Sequence, residues 1–111
     1  MSDESNQNCD PLYGQVDALL EQLTKSKSLH ILMVLEQKSR PLRFSEIKDR
    51  VDASSTTVSR RLGELIEFGL VERTKKSDES KTHEYEISEY GKQLSPIMHS
   101  FYDWVKQGNQ D

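Results

Sequence analysis

Between Ser55 and Glu67, hydroxyl side chains and arginines alternate with apolar residues at helical spacing. The apolar set is Val58, Leu62, Leu65 and Ile66, and Gly69 follows as a stop signal. If this set faces inward, Thr56 and Arg60 point outward, while Thr57 and Arg61 lie on one flank. Hydroxyls can hold phosphates, and an arginine can donate two hydrogen bonds to guanine O6 and N7. The alternative is a solvated helix whose arginines pair with Glu64 or Glu67.

A second, shorter helix is predicted directly before this one. Ser45 is a reasonable N-cap for a helix over Glu46 to Val51 that buries Ile47 and Val51. The start signal of the longer helix, Ala53-Ser54-Ser55, follows at once. A connection of about three residues forces the two helices to cross, which is the geometry of a helix-turn-helix.

A basic hairpin is predicted after Gly69. Leu70 to Thr74 and His83 to Ile87 resemble two short strands, and the polar segment between them is too long for a tight turn. This order of elements lets one helix enter a DNA groove while the hairpin, or wing, contacts phosphates beside it. The residues predicted to bind DNA are Arg43, Ser45, Ser55, Thr56, Thr57, Ser59, Arg60, Arg61, Lys75, Lys76 and Lys81.

Three further helices are predicted to support this motif. After Pro11, an apolar stripe runs from Leu12 to Leu23. The next helix is apolar almost all round from Leu29 to Leu35, so it should cross the core, and Arg40-Pro41-Leu42 ends it. Ser88 can cap a final helix with a broad apolar face, although Gly91 and Pro96 predict that its regular part begins late.

The length of 111 residues allows one domain with a modest core. The predicted fold is mainly α (α+β): a winged helix-turn-helix with a two-stranded wing and additional N- and C-terminal dimerisation helices. The predicted bounds are a disordered tail over 1–10, a domain over 11–106 and a tail over 107–111. Within the domain, helices are expected at about 11–24, 27–38, 45–51, 55–68 and 89–106, with strands at about 70–74 and 83–88.

The charge distribution gives weak support to a nucleic-acid partner. The net charge is -4, yet residues 38–81 hold eleven bases and eight acids, which is +3, between flanks of -4 and -3. No apolar stretch is long enough to span a bilayer, and the first residues lack the features of a secretion signal, so a cytoplasmic protein is expected. We find no nucleophile motif, phosphate-binding glycine loop or metal-ligand spacing, and therefore expect neither an enzyme nor a cofactor.

The chain resembles the HxlR family of winged-helix transcriptional regulators from about Cys9 to Trp104. The resemblance lies in Cys9-Asp10-Pro11, Arg43-Phe44-Ser45-Glu46-Ile47, Val58-Ser59-Arg60-Arg61-Leu62-Gly63-Glu64-Leu65, Gly69-Leu70-Val71-Glu72-Arg73, Glu84-Tyr85-Glu86-Ile87-Ser88-Glu89-Tyr90-Gly91, Leu94-Ser95-Pro96-Ile97 and Trp104. It implies a homodimer, built from the first and last helices, on a pseudo-palindromic operator. The predicted interface is Leu12, Val16, Leu19, Leu20, Leu23, Met98, Phe101, Tyr102, Trp104 and Val105. The alternative is that both apolar stripes pack on their own domain.

Two further hypotheses concern the cysteine and the partner of the basic wing. Some regulators of the resembling family sense oxidants through a cysteine at the position of Cys9, but neighbouring Asp10 disfavours the thiolate that such chemistry needs. The alternative to DNA binding is a winged-helix protein-interaction module inside a larger assembly, in which the basic wing would contact an acidic protein surface. The acidic flanks keep this alternative open, because they oppose binding to phosphates.

Overall fold

The computed structural model describes residues 10–75 and 83–108. The described chain forms five helices: α1 (Pro11–Leu23), α2 (Ser28–Lys38), α3 (Phe44–Val51), α4 (Ser55–Glu67) and α5 (Glu89–Gly108). Three strands, β1 (Leu42–Arg43), β2 (Val71–Lys75) and β3 (His83–Ile87), form an antiparallel sheet in the order β1-β3-β2. The fold is therefore mainly helical with a small sheet. No helix in these two ranges is long and apolar enough to cross a membrane.

Helix α2 lies in the middle of the core, as its nearly uniform apolar sequence predicted. Ile31, Leu32 and Leu35 are almost fully buried. Around them pack apolar side chains from every other helix and from the sheet: Leu23, Leu42, Ile47, Val51, Val58, Leu62, Leu65, Leu70, Val71, Ile87 and Met98. This single cluster fixes α3 and α4 against the rest of the chain, because each of the two buries its apolar stripe in it.

Both ends of α4 have the chemistry that the sequence predicted. At the start, the Ser54 hydroxyl accepts a hydrogen bond from the Thr57 N–H at 3.1 Å and so caps the helix. At the end, Gly69 has a left-handed φ of 80°. The Leu70 N–H donates to the Leu65 carbonyl at 3.0 Å and the Gly69 N–H donates to the Ile66 carbonyl at 2.9 Å, which is a Schellman motif. The length of the exposed helix is thus set by two local signals.

The start of α3 differs from the prediction that Ser45 is its N-cap. Arg43 occupies the cap position in an extended conformation, and the helix begins at Phe44. The Arg43 N–H donates to the Glu46 carboxylate at 3.0 Å. Glu46, in the first turn of the helix, therefore supplies the side-chain cap. The reason is that Leu42 and Arg43 pair with Tyr85 and Glu84 as strand β1, so the helix starts where the strand ends. The expected two-stranded wing accordingly gains a third strand at its base.

The expectation that Gly91 and Pro96 delay the regular part of α5 was wrong, because the helix begins at Glu89, where the predicted bounds of 89–106 put its start, and contains Pro96. Ser88 caps it as expected: its hydroxyl accepts from the Gly91 N–H at 2.9 Å and donates to the Gly69 carbonyl at 2.6 Å. Gly91 is buried and permits a close approach of the chain. A Cβ there would collide with the Leu70 carbonyl and lie 2.6 Å from Ile87 Cγ1. The glycine therefore fits the first turn of α5 against the core.

Candidate nucleic-acid interface

Helix α4 presents a polar face to solvent directly opposite its buried stripe. Ser55, Thr56, Ser59 and Arg60 are exposed, whereas Val58, Leu62 and Leu65 on the other side are buried. The four exposed residues line a shallow depression together with the half-buried Phe44 of α3. Hydroxyl groups at the N-terminal end of a helix, followed one turn later by an arginine, form a surface that can contact phosphates and base edges.

The two arginines of α4 have different environments. Among the residues that the structure describes, no hydrogen bond or ion pair holds the exposed Arg60 side chain. Arg61, with a side chain only 14% exposed, donates from Nε to the Ser26 carbonyl at 2.9 Å and from Nη1 to Glu64 Oε1 at 3.1 Å. Arg61 thus makes the intramolecular pairing that the sequence offered as the alternative to DNA contact. Arg60 is the arginine of this helix that is available to an external partner.

The other predicted contact residues lie on α3, on α4 and in the hairpin, and the structure describes only some of them. Arg43 and Ser45 are exposed at the start of α3, and Thr57 is half-buried beside the Ser54 cap. Lys75 lies at the end of β2, opposite His83 in the sheet. Lys76, Lys81 and Cys9 lie outside the described residues. Arg73, exposed in β2, was missed by sequence reasoning although its position in a wing strand was a usable signal.

A polar cluster behind α4 was also missed. The Gln22 amide, at the end of α1, donates to Glu64 Oε1 at 2.9 Å. This hydrogen bond is the main cause that lowers the pKa of Glu64 below its usual 4.5, and the nearby charges of Lys25 and Arg61 lower it further against the opposing effect of burial. Gln22 carries no motif and lies inside an apolar stripe, so only the tertiary contact with α4 reveals its role.

A second exposed surface is apolar and lies on α1 and α5. Of the predicted interface residues, Leu12, Val16, Leu20, Phe101, Tyr102, Trp104 and Val105 are exposed, and Leu19 is half-buried. Two others are corrected by the structure: Leu23 and Met98 are buried in the core of the chain itself, since both pack against α2 and its neighbours. Tyr13, Tyr90 and Ile97 add exposed apolar area that the prediction left out. So many large apolar side chains on two elements are typical of a surface that another protein covers.

Comparison with known proteins agrees with this geometry. A profile of the HxlR-like helix-turn-helix family matches residues 23–111. The chain belongs to this family. This HxlR-type chain is therefore a DNA-binding transcriptional regulator with a winged helix-turn-helix, and such regulators are generally not enzymes. No protein with a curated description matches it by sequence.

Three solved structures resemble this HxlR-type regulator over most of their length. A possible HxlR family transcriptional factor from Thermoplasma volcanium GSS1 is 26% identical, with a TM-score of 0.71 and coverage of 84% of this chain and 83% of that one. The reduced form of the regulator YodB from B. subtilis is 25% identical, with a TM-score of 0.74 and coverage of 86% and 93%. The putative HTH-type regulator ytcD is 27% identical, with a TM-score of 0.75 and coverage of 86% and 97%.

Proposed function

We propose that this regulator is a homodimer that recognises a pseudo-palindromic operator in a sequence-specific manner. In each subunit, α4 enters the major groove and the wing contacts the adjacent phosphate backbone. The observation that carries this proposal is the exposed face of α4, where Arg60 and three hydroxyl side chains point away from the core and Arg60 is held by no other described residue. A helix with this arrangement can read base edges without first breaking intramolecular contacts.

The exposed apolar surfaces of α1 and α5 support the homodimer. Trp104 is 75% exposed and Phe101 and Tyr102 are about half exposed, at 47% and 56%. Large aromatic side chains of this kind supply much of the binding energy in protein interfaces. A twofold axis through this surface would relate the two copies of α4, and half-sites on one face of the duplex would then be centred roughly 34 Å apart.

The direct experiment is selection of random duplexes by the purified full-length chain, followed by titration of the selected site at several salt concentrations. We expect a pseudo-palindromic site and a steep fall of log K with log[salt], because phosphate contacts release counterions. Replacement of Lys75 by alanine should flatten this slope by about one unit. Sedimentation that shows a monomer at micromolar concentration, or selection that enriches no sequence, would contradict the proposal.

The interaction-module alternative predicts a different outcome for the same titration. A module that binds an acidic protein surface would enrich no duplex sequence, and replacement of Arg60 would leave its affinity for DNA unchanged.

Redox control through Cys9 remains a prediction that rests on the family resemblance. It is tested by treatment with diamide or a quinone and measurement of operator affinity. The hypothesis fails if the affinity does not change, or if Cys9→Ser changes in the same way as the wild type.

A further inference from the structure

A cluster of five polar side chains joins the end of α1 to the inner flank of α4. We call Gln22, Lys25, Ser28, Arg61 and Glu64 the α1–α4 cluster. Gln22 is 3% exposed and Ser28 is fully buried, and Ser88 is the one other polar side chain buried among residues 10–75 and 83–108. A buried amide is costly unless it is hydrogen-bonded, and Gln22 Nε2 meets Glu64 Oε1 at 2.9 Å and Ser28 Oγ at 3.4 Å. The cluster is therefore a built feature of the packing between these elements.

Glu64 is the centre of the cluster, because three separate parts of the chain converge on its carboxylate. Gln22 approaches from α1, and Lys25, on the loop after α1, places its Nζ 3.6 Å from Glu64 Oε2. Arg61, one turn earlier on α4, donates to Glu64 Oε1 at 3.1 Å. Arg61 also bonds the Ser26 carbonyl of the same loop at 2.9 Å. The flank of α4 is thus tied to both the last turn of α1 and the loop that follows it.

Directional contacts of this kind constrain orientation in a way that apolar packing does not. The buried stripe of α4 holds the helix against the core, but apolar contacts tolerate small rotations and shifts. Hydrogen bonds that involve charged groups are short and depend strongly on geometry, so a shift of α4 along α1 would break several at once. Gln22 lies on α1, and Glu64 is half-buried on the inner flank of α4. The cluster therefore lies on a different side of α4 from the exposed residues that are proposed to read DNA.

We propose that the α1–α4 cluster fixes the orientation of the recognition helix relative to α1 and thereby sets the half-site spacing that the dimer accepts. This inference rests on the proposed function, in which α1 contributes to the dimer interface and α4 reads each half-site. If α1 is part of the frame that relates the two subunits, the angle between α1 and α4 determines the separation of the two recognition helices. Gln22 and Glu64 are then positioning residues for operator choice.

The experiment measures spacing preference in the full-length protein. Affinities are determined for the selected operator and for two versions in which the centre is lengthened or shortened by one base pair. The variants are Glu64→Ala and Gln22→Met, the second of which keeps the length of the side chain but loses the hydrogen bonds. Glu21→Ala is the matched control for Glu64→Ala, because it removes an exposed carboxylate from the neighbouring position of α1 without touching the cluster.

We expect the preference for the native spacing to fall by about tenfold in Glu64→Ala and Gln22→Met, the lower end of the effect of a hydrogen bond to a charged group. Affinity for unrelated duplexes should stay unchanged in Gln22→Met, which keeps the net charge, and should rise no more in Glu64→Ala than in Glu21→Ala, which loses the same negative charge. Glu21→Ala should keep the wild-type preference. An equal loss on all three spacings would indicate a merely structural role and overturn the inference, as would unchanged preference in both cluster variants.

The proposed function and the role of the α1–α4 cluster are contradicted by different results. If the wild type enriches no operator, the proposed function is wrong. If the wild type selects an operator of fixed spacing but both folded cluster variants keep the same preference, only the role of the α1–α4 cluster is wrong. Circular dichroism establishes folding before each titration, and Glu64→Gln replaces Glu64→Ala if the alanine variant does not fold, with a smaller loss of preference expected.

Discussion

Adjacent arginines on α4 are predicted to have opposite phenotypes when each is replaced by alanine. Arg60 is exposed and free of described partners, so Arg60→Ala should change the free energy of unfolding by no more than about 0.5 kcal/mol. The same change should weaken operator binding by roughly 1–3 kcal/mol and relax the preference for one base pair, because the proposed bidentate contact of Arg60 to guanine would be lost.

Arg61→Ala should instead act mainly on stability. The substitution removes the guanidinium and with it the 2.9 Å hydrogen bond to the Ser26 carbonyl and the 3.1 Å hydrogen bond to Glu64. The Glu64 carboxylate is left with fewer partners. Hydrogen bonds to charged groups contribute about 1.5–3 kcal/mol when buried, and partial exposure of both side chains reduces this to about 1–2 kcal/mol in total. For a domain of this size, Tm should fall by about 5–10 °C.

Both quantities are measured on the same two proteins, by thermal melts and by titration of the selected operator. Each variant is the control for the other, since the net charge changes equally. The roles assigned to the two arginines are wrong if Arg60→Ala lowers Tm as much as Arg61→Ala, or if Arg61→Ala alters base preference while Arg60→Ala does not.

Three further predictions concern stability and assembly. Gly91→Ala should destabilise the fold by about 1–3 kcal/mol in a denaturant titration, because its Cβ would collide with backbone, whereas Gly63→Ala, which meets no atom within 4 Å, should be neutral or stabilising. Because the pKa of Glu64 is lowered in the folded state, its ionised carboxylate stabilises the fold above pH 4.5, and this contribution is lost as the pH falls through the folded-state pKa. Glu64→Gln should therefore make the free energy of unfolding depend less on pH in the acidic range. Trp104→Ala should weaken the proposed dimer by about 2 kcal/mol in sedimentation without lowering the stability of the single chain.

Each of these three has its own contrary result. Equal stability of Gly91→Ala and Gly63→Ala would show that α5 can move away from Leu70. If, at pH values below 4.5, the free energy of unfolding falls no more steeply in the wild type than in Glu64→Gln, the carboxylate has no such role. An unchanged dimer in Trp104→Ala would place the interface elsewhere.

Much of the helical architecture followed from local signals. Helix α4 could be predicted because Ser54, Gly69 and an apolar stripe each act within a few residues of the helix they define. Strand β1 could not be predicted, because it consists of only two residues, Leu42 and Arg43. Its pairing partners, Tyr85 and Glu84, lie about forty positions away in the sequence. The true cap of α3 was missed for the same reason, since it depends on where β1 ends.

The candidate site was predictable only as far as its pattern is local. Periodicity placed Arg60 on the outward face of α4, and the structure agrees. It also grouped Arg61 with the DNA contacts, because the spacing along one helix does not reveal a carbonyl on a loop 35 residues earlier. Likewise, Leu23 and Met98 have the spacing of the exposed stripes on α1 and α5, and only the position of α2 decides that they face the core.

Arg43 belongs to two elements at once, since it pairs with Glu84 in the sheet and also precedes the first turn of α3. No spare residue separates the base of the hairpin from the helix-turn-helix, because strand β1 ends at Arg43 and the helix begins at Phe44. An extra amino acid placed between Leu42 and Phe44 would have to shift the strand register or unwind the helix start. An exchange of DNA specificity between relatives should therefore transfer the whole segment from Leu42 to Ile87. A chimera joined at Arg43 would take the helix-turn-helix from one protein and strand β1 from the other.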